Sequence, residues 1–167
     1  IGRSALASQV NSSGNIYNTA VGSQAGASVT TGVSNDIFGG LAGDALTEGS
    51  FNVAVGRSSL SADTLGSQSV AVGHAALANQ NFTTATNALN TAIGFQAGNA
   101  ITTGVQNTLI GGSAGDALTE GDQNVAVGYG ALTQDTLGNY SVAIGREALY
   151  AQNFSTATNT YNTAVGY

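Results

Sequence analysis

The sequence predicts an all-β fold in which one chain winds into a parallel β-solenoid, and three observations predict it. A short motif, (N/S)-(T/V)-A-(V/I)-G with variations, recurs along all 167 residues and places its final glycine at Gly2, Gly22, Gly39, Gly56, Gly73, Gly94, Gly111, Gly128, Gly145 and Gly166. The intervals are 20, 17, 17, 17, 21, 17, 17, 17 and 21, so residues 22–93 and 94–165 form two 72-residue super-repeats, identical at 45 positions and preceded by a partial repeat over 1–21. Each motif is also a brief run of β-favouring residues closed by glycine, too short for a helix and spaced like strands divided by turns. A fixed period of this size marks a stack of like units. Each interval is then one coil, in the order 17/17/17/21.

Counted from each motif glycine as zero, the residues sort into columns. Position −1 is always apolar, −2 is Ala except at Ile37 and Leu109, and −4 is Asn or Ser. Position +3 is Ala except at Ser59, and +4 is Gly or Leu. In the six 17-residue intervals +8 is Thr and +10 is Gly. Alternation along a strand sends −1 and −2 to opposite faces. The expectation is that the Val/Ile column fills the coil and the alanines Ala20, Ala54, Ala71, Ala92, Ala126, Ala143 and Ala164 form a close-packed outer stripe. Such a stripe, left in water, calls for a second copy, and rows of alanine let parallel rods lie close together. Coils about 4.8 Å apart would give a rod of roughly 43 Å along which like residues form ladders. An Asn ladder can pass amide hydrogen bonds from coil to coil. Glycines at 0 and +10 suit backbone that turns with positive φ or approaches its neighbour closely.

Composition narrows the function. There are 24 Gly, 7% charged and 42% hydrophobic residues, and no Pro, Cys, Met or Trp. A chain this apolar and this poor in charge is repetitive rather than disordered. Without cysteine it holds no disulfide, zinc-thiolate site or thiol nucleophile. The net charge of −6 is the wrong sign for a nucleic acid or an anionic membrane surface. No apolar run reaches the ~18 residues of a spanning helix, so no membrane contact is expected in this segment.

The strings QSVAVGHAAL at 68–77 and YSVAIGREAL at 140–149 resemble the head repeats of YadA-like trimeric autotransporter adhesins. YNTAVG and LNTAIGFQAG are similar to repeats in phage tail fibres. The resemblance covers the whole chain. It implies a left-handed parallel β-roll, three chains around one axis (a parallel homotrimer) and a non-catalytic adhesive fibre, extracellular at a cell surface or in a virion tail fibre. The chain starts inside a motif and stops just after one, as expected of one repetitive segment, 1–167, of a longer fibre.

Several residues invite a chemical reading. GGLAGDALTEG at 39–49 and GGSAGDALTEG at 111–121 approach the calcium-binding nonapeptide G-G-x-G-x-D-x-U-x. Yet Ala42 replaces a required glycine and Asp44 returns only once in 72 residues, as Asp116, whereas hard cations want six to eight oxygens. A turn aspartate capping its own backbone is the expectation, with a calcium-binding solenoid as the alternative. The threonine column raises ice binding as a second alternative, but position +9 runs Thr, Glu, Leu and supplies no matching column. His74, at +1, stands without a nucleophile and is read as a surface residue. Carboxylates recurring at +5, +7 and +9 read as a solvated acidic edge. No cofactor and no metal are expected. The 21-residue intervals carry NQNFTTATNALN (79–90) and AQNFSTATNTYN (151–162), which should bulge outward. Asn81, Phe82, Thr84, Asn87, Asn153, Phe154, Thr156 and Asn159 are the candidate contacts to a host-surface protein or glycan, because aromatic and amide groups suit weak, multivalent contacts; the alternative is that the phenylalanines pack their own loops.

Overall fold

The computed structural model describes residues 1–10 and 14–167. It is all-β, with no helix among the described residues. Nine three-residue strands, one at each motif from Gly22 to Gly166, form one parallel sheet: β1 (Thr19–Val21), β2 (Asp36–Phe38), β3 (Val53–Val55), β5 (Val70–Val72), β7 (Thr91–Ile93), β8 (Thr108–Ile110), β9 (Val125–Val127), β11 (Val142–Ile144) and β13 (Thr163–Val165). Two shorter parallel pairs, β4 (Gly66–Ser67) with β6 (Thr86–Asn87) and β10 (Gly138–Asn139) with β12 (Thr158–Asn159), lie beside the longer intervals. Motif stacks on motif throughout: Ala20 pairs with Ile37, Ile37 with Ala54, Ala54 with Ala71 and Ala71 with Ala92, and the second super-repeat continues the series to Ala164. The molecule is a β-solenoid of about nine turns.

The two faces of the sheet are the reverse of the sequence expectation. Ala54, Ala71, Ala92, Ala126 and Ala143 are fully buried inside the coil, Ala20 nearly so, and Ala164 is half-buried. The Val/Ile column points outward, with Val21, Ile93, Ile110 and Ile144 each 38–40% exposed. The alanines therefore cannot be the contact between copies. The reason is the width of the coil: aliphatic side chains from +4 and +7, such as Leu46, Leu60, Ile101 and Leu118, fill it from the far wall. Beside a leucine at +4, only a methyl group fits at −2.

That constraint explains the exceptions in the columns. Ile37 and Leu109, the two large residues at −2, occur where the +4 residues on both sides are glycine. A methyl group at Gly26 would lie 2.9 Å from Ile37 Cδ1 and one at Gly43 3.4 Å from it; Gly98 and Gly115 stand in the same relation to Leu109, at 2.7 and 2.8 Å. Where +4 is leucine, as at Leu60 and Leu77 or Leu132 and Leu149, the residue between is Ala71 or Ala143. The +7 column follows suit: Val29, Leu46, Ile101 and Leu118 accompany glycine at +4, while Asp63, Gln80, Asp135 and Gln152 accompany leucine. Two coils of each kind make the 72-residue unit.

Polar groups inside the coil are paired by the asparagine ladder at −4. Asn35, Asn52, Asn107 and Asn124 are fully buried. Each side-chain oxygen accepts the main-chain N–H one coil on, Asn52 to Asn35 at 3.0 Å and Asn124 to Asn107 at 2.9 Å. Each side-chain amide donates to the carbonyl of the +10 glycine, Asn35 to Gly49 at 2.9 Å and Asn107 to Gly121 at 2.8 Å. The turns between are tight. In every described coil −5, +2 and +4 adopt left-handed φ, as at Phe51, Ser58 and Leu60 (61°, 55° and 51°), without needing glycine. The motif position does need it: φ is +142° at Gly39, and a methyl group there would sit 2.5 Å from the Gly56 carbonyl oxygen.

Two measurements test this packing. Ile37→Ala opens a void between Gly26 and Gly43 and should cost about 2–5 kcal/mol. Ala71→Ile, between two leucines, should cost about 1–3 kcal/mol by overpacking. Both are read by chemical denaturation, and a loss smaller for Ile37→Ala than for the outward Val72→Ala would contradict the assignment of faces. Asn107→Ala strands the Gly121 carbonyl and the Asn124 N–H in the interior. It should cost about 1–3 kcal/mol for each, against little for Asn87→Ala on the surface.

Candidate functional site

The longer intervals were expected to bulge and to present aromatic and amide groups. Four extra residues leave the stacking register here, and β4–β6 and β10–β12 tie the bulges back to the coils before them. Asn81, Thr84 and Asn87 are exposed, as are Asn153, Thr156 and Asn159. Phe82 is a correction: it is only 6% exposed and Phe154 is half-buried, so neither ring is held out to a partner.

A buried carboxylate pins the first ring. Asp63 Oδ1 accepts the N–H of Gly66 (3.0 Å) and of Phe82 (3.2 Å), while Oδ2 accepts the Gln80 side-chain amide at 2.6 Å. Gln80 also donates to Ser69 Oγ (3.1 Å), and its own oxygen accepts the Asn90 side-chain amide at 2.8 Å. Gln80 thus relays the asparagine ladder past Ser69, where the regular amide is missing. Asp135, Gln152, Ser141 and Asn162 repeat the arrangement in the second super-repeat. The +7 carboxylates, Asp63 and Asp135, are therefore interior groups and not part of a solvated edge. The signal was in the sequence: an Asp and a Gln occupying a column that elsewhere holds Val, Leu and Ile.

The other candidates divide. Asp44 and Asp116 each keep one carboxylate oxygen buried with no hydrogen-bond partner, and among the described residues no three acidic or histidine side chains gather as a metal group. The threonine column is exposed in part, but its hydroxyls donate inward: Thr30 to the Thr47 carbonyl (3.1 Å), Thr47 to that of Thr64 (3.0 Å) and Thr102 to that of Thr119 (3.1 Å). His74 is exposed, and Arg57 approaches its ring nitrogen at 3.3 Å.

The largest feature that the columns hid is the outer face of the nine-stranded sheet. Its −1 column is wholly apolar, and its −3 column holds Val53, Val70, Val125 and Val142 with threonines and one charge, Asp36. Exposed Tyr17, Phe51 and Tyr161 line one margin at −5, and the +1 column lines the other.

Burial without a cation lifts the Asp44, Asp63 and Asp116 carboxyls above the ordinary aspartate value; around Asp63 the hydrogen bonds from Gln80, Phe82 and Gly66 pull the other way. A folded-state pKa above the unfolded one means that the folded chain holds the proton more tightly. Stability is then gained as pH falls through the raised value and lost as pH rises through it. Thermal melts should show a rising midpoint from pH 7 toward about 4. Asp44→Asn with Asp116→Asn should raise the midpoint at pH 7 and flatten that slope; a variant with an unchanged or steeper gain on acidification would contradict the cause.

Compared with protein-family models, curated proteins and solved structures, the chain matches none.

Proposed function

We propose that the chain is a non-catalytic structural and adhesive segment of a surface fibre, a bacterial adhesin head or a phage tail fibre. In it the solenoid winds left-handed in 17/17/17/21-residue coils, and three copies run parallel about one axis. The observation that supports this best is the outer face of the sheet: a field of Val, Ile, Phe and Thr side chains along all nine strands, interrupted by the single charge of Asp36 and partly open to water. Apolar fields of this extent mark contact surfaces. A face whose −1 column is apolar in every coil can meet the same face of another copy level by level. The self-contact surface is then the Val/Ile column at −1, with −3, in place of the alanine stripe.

The interior supports a mechanical role in the same way. Every coil is tied to the next by main-chain ladders and by buried amides, which suits a stiff spacer. The bulges at 79–90 and 151–162 stand four coils apart, roughly 19 Å at the ordinary strand spacing, and offer exposed amides and hydroxyls at two levels of the rod. In three copies these would multiply weak contacts to a host-surface protein or glycan. The fibre works outside the cell or on the virion, and needs no cofactor.

Light scattering coupled to size exclusion tests the assembly. The expected mass is three times 16.4 kDa. Val72→Glu with Val127→Glu, both on the outer face, should give single chains that keep the β-type circular dichroism spectrum. A wild-type particle of one chain would overturn the proposal.

A further inference from the structure

All three arginines and the one histidine of the chain, Arg3, Arg57, Arg146 and His74, stand in one column, +1. The other members of that column in the later coils are Phe95, Gly112, Tyr129 and Tyr167. Successive coils therefore present planar groups in single file. Arg57 meets His74 at 3.3 Å, and the His74 and Phe95 rings stack at 5.4 Å with 13° between their planes. The Arg146 guanidinium lies 5.9 Å from the centre of the Tyr129 ring and 5.6 Å from that of Tyr167. These groups are exposed, Phe95 at 57% and Tyr129 at 61%. Gly112 carries no side chain and breaks the file, and the Tyr129 ring leans toward it: a methyl group at Gly112 would lie 3.4 Å from that ring. Only Glu147, paired with Arg146 at 3.3 Å, brings a carboxylate to this line.

We infer that this file, from Arg57 to Tyr167 with its break at Gly112, is a binding track for a linear acidic polysaccharide. The chemistry matches on three counts. The track is one residue wide and straight, like an extended glycan and unlike the broad patch that a folded partner needs. Its exposed rings, Phe95 and Tyr129, offer apolar faces and edges to the C–H faces of pyranose units, and Gly112 between them leaves backbone in place of a side chain. Its two guanidinium groups, Arg57 and Arg146, recognise planar carboxylates by paired hydrogen bonds, and they are two of the three arginines in a chain without lysine. This deepens the adhesive part of the proposed function by naming a ligand class and a second contact line beside the bulges.

The test uses the whole chain with three probes of equal length: oligogalacturonate, a neutral malto-oligosaccharide and poly-glutamate, by calorimetry at low and moderate salt. Oligogalacturonate should bind and the other two should bind weakly or not at all. Arg146→Ala and Tyr129→Ala should each weaken binding roughly three-fold and their combination about ten-fold. Gly112→Leu, which puts a side chain there, should weaken it with both neighbours intact. Every substituted side chain is at the surface, and unchanged melting curves verify the fold. No binding of oligogalacturonate, or equal binding of poly-glutamate insensitive to Tyr129→Ala, would overturn the inference. So would a change of particle mass in the variants, which would make the track a seam between copies. The mass of the wild-type particle reports on the fibre proposal separately, so the two can fail independently.

Discussion

Register between neighbouring coils is the constraint on which everything else depends, and the buried amides at −4 enforce it. An asparagine whose oxygen must meet the N–H one coil on, and whose amide must meet the carbonyl beside it, tolerates no slip: a displacement of one residue would put a strand residue in its place and flip every side chain to the other face. Isolated, a coil has little to hold it. Its strand is three residues long, and three positions carry left-handed backbone that disfavours side chains by about 1–2 kcal/mol each. What holds such turns is the coil on either side, because each coil supplies the carbonyls that the next one needs. Stability in this architecture is a property of neighbouring pairs.

The interior shows how a repeat this regular still carries information. Two kinds of coil alternate in pairs, one with glycine at +4 and aliphatics at −2 or +7, the other with leucine at +4 and Asp or Gln at +7. Volume is conserved from level to level while its source moves from one wall to the other, as close packing requires. The polar pair, Asp63 with Gln80, is placed where a longer interval interrupts the amide ladder. A carboxylate with three donors and no cation there fixes the polarity of the relay, because Gln80 must turn its amide toward Asp63 and its oxygen toward Asn90. The cost of burying that charge is offset in part by those three hydrogen bonds, and the benefit is a bulge with a defined root.

Much of this was legible in the sequence, and the parts that were not have physical reasons. Period, register, the ladder and the longer coils follow from columns alone, since a residue and its equivalent one interval later share the same surroundings. Which face was inside did not follow. Alternation puts Ala71 and Val72 on opposite sides without saying which side is the core, and the larger side chain is the natural guess. The deciding facts were correlations between columns: Ile37 appears only with Gly26 and Gly43, and Leu109 only with Gly98 and Gly115. A residue whose size is matched by its neighbours' must touch them, and the freely varying +1 and −5 columns must face outward. Between contact and loop packing, the columns alone leave Phe82 open for a related reason. An aromatic in a loop suggests contact, but its N–H is held by a carboxylate seventeen residues before Gln80's own coil position is reached, at Asp63, and that link is invisible until the coils are stacked.

The same correlations bear on how a chain made of near-identical units avoids pairing the wrong ones. A chain that stacked Gly98 directly on Gly43, skipping two coils, would leave Ala92 between two glycines and open a void, and one that stacked Gly115 on Leu77 would press Leu109 against a leucine and overfill the interior. Either error costs more than a motif-to-motif hydrogen-bond ladder regains, since the ladder itself is the same in every arrangement. Local similarity supplies the common register and the unequal cores supply the order. The outer face needs no such code, because Val and Ile repeat there almost unchanged. Specificity within the chain is thus written in the interior, and the surface is free to be uniform along the sheet and varied only at its margins, where the charged and aromatic side chains collect.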